Sequence, residues 1–490
     1  MTRRPDTPMC SVLRLLTAFA VVGANDLSPE GSTSTRTAVP RRVRVSGRGF
    51  IDAATGAPVV LVGTNVVVKG PPWLPEVNLS GNATACGQDI VDEFCAGSSH
   101  IPARGNCSTC TTFNEADIKY LQSRGENTIR LAVVWAGAQP DDANHLDPAF
   151  LKRLHAVLTL CDKHGMNVVL DNHGDMVGSA GCGNGIPMWF QKRAAPSLIG
   201  KPLRASFPFM FIDETNVEKL PGWKTCGDDE SKWAEHAGHP YYNLVSECCR
   251  PLNSDVGGYY ANPIALGASN ISQLTMDYLV FPGEGRDAFV RFWRLMAQAV
   301  MEHPSAIAAE LMNEPVSLRR KQMFDTWREA AEAIHAIIPD MAVSLADTIE
   351  GAVVPSWVTK LLGADIDISK DTESWIIESD YLFYTFHYYS PMAPLFKSAD
   401  EAVANALALG RDWDVPTFLT EYGGCDAQAA TQKHGVSHTY WHYSAYCTTS
   451  AEAFGPRAFP TETFGACILG WASGELRQPC ARGSSRSIPH

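Results

Sequence analysis

Past its N-terminal segment the chain has no uninterrupted apolar run long enough to cross a bilayer as a helix. Positive charge is also scarce: 40 Lys and Arg stand against 53 Asp and Glu, a net charge of −13. Nucleic-acid binding wants a basic face, so no nucleic-acid partner is expected. No Gly-rich phosphate turn follows the first strand-like segment, which argues against a dinucleotide-binding open sheet. No His-x-His or similarly tight ligand spacing falls on one strand, so no metal is assigned, and nothing requires a cofactor.

The first 24 residues do carry an apolar run, VLRLLTAFAVVGA, behind Arg3 and Arg4, with small residues Val22 and Ala24 at a signal-peptidase spacing. Residues 1–24 therefore read as a secretory signal, and 25–42 as a disordered linker. Secretion is consistent with four Asn-x-Ser/Thr sequons, at Asn78, Asn82, Asn106 and Asn270. It is also consistent with the 14 cysteines, of which Cys10 leaves with the signal. Cys86, Cys95, Cys107 and Cys110 crowd into one Gly/Ser/Asn-rich loop and read as disulfide staples, although Cys107 and Cys110 have the spacing of half a zinc site.

At 490 residues and 45% hydrophobic, the chain can bury a large core. An N-terminal hairpin opens at residue 43, and a strand–helix rhythm follows. Buried strands are expected at Val59, Thr128, Asn167, Ala306, Ala342, Tyr381, Thr417 and Ile468, with helices between most of them. Alternation of this kind implies parallel pairing through crossovers. Eight units point to a (β/α)8 TIM barrel over 43–475, with an insertion at about 174–284 and a tail at 476–490. An open doubly wound sheet is the alternative.

Active sites of such barrels sit at the C-terminal ends of the strands. Arg130, His173, Asn313, Glu314, His387, Tyr389, Glu421 and Trp471 all fall there, with Lys69 and Asp175 just beyond strands one and three. Two glutamates near one sugar suit glycoside hydrolysis: one protonates the leaving oxygen and the other attacks the anomeric carbon. Arg130 would hold the attacking carboxylate ionised, Asn313 would bond a sugar hydroxyl, and Trp135, Trp189 and Trp471 would stack on sugar faces. Two other readings use the same rim. In one, a catalytically silent barrel binds carbohydrate. In the other, His173, Asp175 and His387 hold a metal in a hydrolase. His438 and His442, four apart on an expected helix, read as solvent-facing.

The pieces IRLAVVW, LDNHGD, ELMNEP, FHYY, LTEYGG and LGWASG resemble glycoside hydrolase family 5, in the cellulase-like clan of retaining glycosidases. That resemblance implies Glu314 as acid/base, Glu421 as nucleophile, and a hydrogen bond from Tyr389 to Glu421. The stretch LDNHGDMVGSAGCGNGIPMWF looks like the endoglycoceramidase-related branch. By that match Asp175 and Lys69 contact the sugar beside the cleaved bond, and the substrate is a carbohydrate or a glycolipid met at a membrane surface. The sequence departs from the branch in carrying Asn172 and Gly174 where Met and Gln are usual, and in ending soon after Trp471, with no following β-sandwich expected.

Overall fold

The computed structural model describes residues 38–68, 73–77, 113–174, 177–181, 185–199, 269–347, 368–389, 398–423 and 425–441. Expectations that fall elsewhere, including the signal, the cysteine loop, Lys69, Asp175 and Trp471, lie outside the described residues. Eight parallel strands close a barrel. They are β4 (Val62–Val66), β5 (Thr128–Ala132), β6 (Asn167–Asp171), β7 (Ala306–Glu310), β8 (Ala342–Ala346), β9 (Leu382–Tyr389), β10 (Thr417–Gly423) and β11 (Ser437–Tyr440). The open-sheet alternative is thereby excluded. Among the described residues no helix is long and apolar enough to cross a membrane.

Two expectations about the strands need correction. Barrel strand one begins at Val62, because Pro58–Val59 is β3 of a separate antiparallel sheet with β1 (Val43–Ser46) and β2 (Gly49–Asp52). Strand eight is Ser437–Tyr440 rather than a segment at Ile468: it pairs with β10 on one side and β4 on the other. VSHTYW looked helical because polar residues interrupt it. Yet Gly435, at φ 65, ends the preceding helix Cys425–His434, and Val436 through Trp441 are all buried. His438 is therefore a buried strand residue, 4% exposed, and burial pulls its pKa down.

The helices follow local chemistry. Asn114 opens Glu115–Ser123 with a capping box completed by Asp117. Asp147 caps Pro148–His164, where Pro148 occupies the first turn and left-handed Gly165 closes the end. Gly63 has a different duty: a Cβ there would lie 1.6 Å from the Thr128 carbonyl oxygen, so β4 and β5 approach closely only with glycine.

The small antiparallel sheet plugs the N-terminal end of the barrel. Val43, Val45 and Phe50 pack against Val169, Ile307, Ala342, Phe383 and Phe418, which come from five different barrel strands. Phe50 meets Phe383 and Phe418 edge-on at 5.7 and 6.1 Å. The last residues assigned to the linker belong to this closure. Arg41 is 1% exposed, and its guanidinium donates to the carbonyls of Val39, Met301, His303 and Ala306. The other end of the barrel is lined by polar side chains.

Candidate active site

Arg130 stands at the centre of the C-terminal end, on β5, and is fully buried. It donates Nε to Glu310 Oε2 at 2.6 Å and Nη2 to Glu310 Oε1 at 3.0 Å, a two-pronged pair. Nη1 reaches Asn65 Oδ1 at 2.8 Å and Glu421 Oε1 at 2.6 Å. Nη2 also reaches Asn313 Oδ1 at 2.8 Å and Asp171 Oδ1 at 3.0 Å. Burial works against the guanidinium's charge, but Asp171, Glu310 and Glu421 outweigh it and hold its pKa above the ordinary value.

Glu421 comes from β10, where a register shift between Leu419 and Glu421 sets Leu419 opposite Phe386 and Glu421 opposite His387. The extra residue, Thr420, leaves the regular ladder. Its hydroxyl donates to Glu310 Oε1 at 3.2 Å, and the irregularity aims Glu421 at the centre. Glu314 lies beyond the end of β7 in the turn Asn313-Glu314-Pro315. Its φ of 38° is a left-handed conformation that non-glycine residues seldom adopt. Its side chain is 29% exposed, against 5% for Glu421. Pro315 therefore lies in this turn, well past the last strand residue, Glu310.

His387 links the two glutamates. Its Nδ1–H donates to Glu314 Oε1 at 2.9 Å and lies 3.7 Å from Glu421 Oε2, while its Nε2 is 3.8 Å from Glu310 Oε1. Desolvation would make this buried imidazole neutral. The surrounding carboxylates of Glu421, Glu310 and Glu314 win, raising its pKa to about 10. Glu310 moves the other way. Burial favours its neutral form, yet Arg130 and His387 pull it down to about 2. His173 donates Nδ1 to Asp171 Oδ2 at 2.7 Å, and its ring stacks on Trp441 at 5.3 Å with 14° between planes. Burial raises the pKa of Asp171 despite Arg130 and His173.

Arg130, His173, Asn313, Glu314, His387 and Glu421 are thus brought together as expected. Asn313 Oδ1 is taken by Arg130, and its Nδ2 donates to Gly174 O at 3.2 Å, so much of its amide serves the protein. Tyr389 is the last residue of β9, in register with Gly423. Trp135 is no sugar platform: it is fully buried, stacks on Phe292 at 5.3 Å, and bonds Gln139. Trp189 is half-buried, with its Nε1 on Gln139 O and Arg193 over its ring.

Sequence reasoning missed Glu310 and Trp441, and it assigned no role to the strand-end residues Asp171 and Asn65. Glu310 had a visible signal, a lone charge inside the otherwise apolar strand AIAAELM, where an unpaired carboxylate would be prohibitive. Trp441 was hidden by the misplaced strand eight. For a metal, one oxygen of Glu314, one of Glu421 and one nitrogen of His387 all lie within 4.8 Å of one another. The donor set fits poorly, because His387 is held protonated and Arg130 already sits on Glu421.

A closed barrel with paired carboxylates, an arginine hub and two histidines at its C-terminal rim defines a class of glycosidase-like sites. The family model for cellulase, glycosyl hydrolase family 5, matches residues 94–198 and 275–448, more than half of the chain. The chain belongs to glycosyl hydrolase family 5. It is 26% identical over 253 residues to an endoglycoceramidase of Cyanea nozakii, covering 52% of this chain and 37% of that protein. It is 29% identical over 360 residues to endoglycoceramidase I of Rhodococcus hoagii (strain 103S), covering 68% of this chain and 61% of that protein. The barrel resembles a crystal structure of endogalactoceramidase with a TM-score of 0.52 at 16% identity, covering 82% of this chain and 75% of that one.

Proposed function

We propose that the chain is a secreted glycosidase that hydrolyses β-linked O-glycosides with retention of configuration. The carrying observation is the approach of Glu314 and Glu421, whose oxygens come within 4.8 Å of each other. Retaining enzymes hold their carboxyl groups about 5–5.5 Å apart, whereas inverting ones leave about 6.5–9.5 Å for a water. In the first step Glu421 attacks the anomeric carbon, and the glycosidic C–O bond breaks. The leaving oxygen takes its proton from Glu314, leaving a glycosyl ester on Glu421. In the second step Glu314 removes a proton from water, whose oxygen attacks the same carbon and releases Glu421.

The surroundings suit these roles. Arg130 holds one oxygen of Glu421 and keeps it anionic for attack. Glu314 is the more exposed of the pair, as a group exchanging protons with an incoming water should be. A silent carbohydrate-binding barrel would have no use for two repelling carboxylates so close together, and this favours turnover. Glu421→Gln and Glu314→Gln should each abolish hydrolysis of an aryl β-glycoside whose leaving group needs protonation. Full activity in either variant would sink the assignment.

For the substrate we favour a glycolipid of the glycosylceramide class over a β-glucan. The support is the endoglycoceramidase relatives and the segment from Asp171 to Phe190. In this reading Lys69 and Asp175 hold the sugar beside the cleaved bond, Tyr389 completes the sugar site, and the enzyme meets its substrate at a membrane surface. Digestion of glucosylceramide, a β-glucan and β-mannan side by side decides the matter. Release of ceramide from the lipid alone supports it, and cleavage of only the polysaccharides overturns it.

A further inference from the structure

Glu310 is a buried carboxylate that no step of the proposed reaction uses. It lies on β7, 1% exposed, one turn of chain below the Glu314 loop. Three elements converge on it. From β5 come both prongs of Arg130, at 2.6 and 3.0 Å. From β10 comes the Thr420 hydroxyl, at 3.2 Å. From β9 comes His387 Nε2, at 3.8 Å. Arg130 and His387 are the two groups that also touch the carboxylate pair. Arg130 holds Glu421 Oε1, and His387 holds Glu314 Oε1 while lying 3.7 Å from Glu421 Oε2.

We propose that Glu310 is a positioning residue for the glycosidase reaction, a fixed anion that anchors Arg130 and His387 and through them sets the spacing of Glu314 and Glu421. The inference deepens the proposed function and rests on it. Arg130 and His387 each have one side toward Glu310 and the other toward a carboxylate of the pair. Without the anchor, Arg130 would be free to close on Asp171 and Glu421, and His387 would swing on χ2 between Glu314 and Glu421. Thr420, released by the β10 irregularity, adds a third tie that fixes Glu310 itself.

The charges around the site fit this assignment. The groups facing His387 are Glu310 from β7, Glu314 from the following turn and Glu421 from β10, and Asp347 at the end of β8 lines the same pocket. Asp347 is committed to Arg320 through two bonds of 2.8 and 2.9 Å. Glu310 stays ionised down to about pH 2 and His387 stays protonated to about pH 10, so the anchor is charged on both sides throughout the working range.

The test combines kinetics with a direct titration of His387. In Glu310→Gln the imidazole should titrate about 1–2 units lower by NMR, because an opposite charge has been removed. In the same variant kcat should fall about tenfold to a hundredfold with KM little changed, because the carboxylate pair loses its spacing. Glu310→Asp keeps the charge but withdraws it by one methylene. It should show the same shift in smaller measure, and it serves if the Gln variant does not fold. An unshifted His387 titration in whichever variant folds would overturn the inference. The titration does not depend on turnover: a chain that cleaves no glycoside, yet shows the His387 shift, keeps the anchor and loses only the reaction.

Discussion

The two ends of the barrel are built from the same strands by opposite means. At the N-terminal end Val43, Val45 and Phe50 enter an apolar floor with Val169, Ile307 and Phe383. At the C-terminal end Asp171, Glu310 and Glu421 surround Arg130, with His387 and His173 beside them. Strand β7 shows the change within five residues, since Ile307 belongs to the floor and Glu310 to the charged layer. Truncating one side chain of the apolar floor costs packing and leaves a cavity, but it strands no charge. Removing one member of a buried ionic network leaves the others charged, desolvated and unpaired.

The largest effect should come from breaking the charged end at its hub. Arg130→Met leaves Glu310, Glu421 and Asp171 without their common partner. Stability should fall by about 3–5 kcal/mol, as read from denaturant unfolding, and turnover should be lost. The matching cut at the floor is Phe50→Ala, which should cost a similar 3–5 kcal/mol or so through lost packing. Yet kcat of the folded fraction should be unchanged, since nothing at the floor touches the carboxylate pair. If Phe50→Ala altered kcat at full folding, the two ends would not be separable.

Next in size is the pH dependence of stability. The pKa of His387 is raised to about 10, so its contribution is complete below about pH 6.5 and is lost as pH climbs through 10. The pKa of Glu310 is lowered to about 2, so its contribution is complete above about pH 4.5 and is lost as pH falls through 2. Melting temperature should therefore decline on the alkaline side, and His387→Gln should flatten that decline between about pH 7 and 10. An unchanged slope would contradict the charged state of His387.

The last effect belongs to Glu126, just before β5. Burial raises its pKa to about 8 with only Arg124, at 3.3 Å, opposing the shift. A raised acid stabilises fully below its unfolded pKa and loses that contribution as pH rises through 8. Glu126→Gln should match the parent near pH 4 and melt higher near pH 9. Equal melting at both pH values would show that the carboxylate is solvated.

Much of this architecture is legible in the sequence because strand and helix periods differ and their stop signals are local. Asn114, Gly125 and Gly165 mark helix boundaries as they should, and seven strands of the barrel fall at or within a few residues of their expected places. The eighth did not, because Ser-His-Thr-Tyr is polar by composition and becomes a buried strand only through pairing with β10 and β4. Tertiary pairing outweighs local propensity there. The carboxylate pair was legible from Asn-Glu-Pro and from a strand ending in Glu421. The network beneath it was not: Glu310, Asp171 and Asn65 acquire meaning only when Arg130 reaches them across the barrel.

Retention of configuration tests the central claim most directly. An aryl β-glycoside or a glucosylceramide is hydrolysed in an NMR tube, and the anomeric proton of the first-formed sugar is followed before mutarotation sets in. Close approach of Glu314 and Glu421 predicts the β-anomer first, with the α-anomer growing in later. The α-anomer first would mean direct attack by water, and Glu421 would not be a nucleophile.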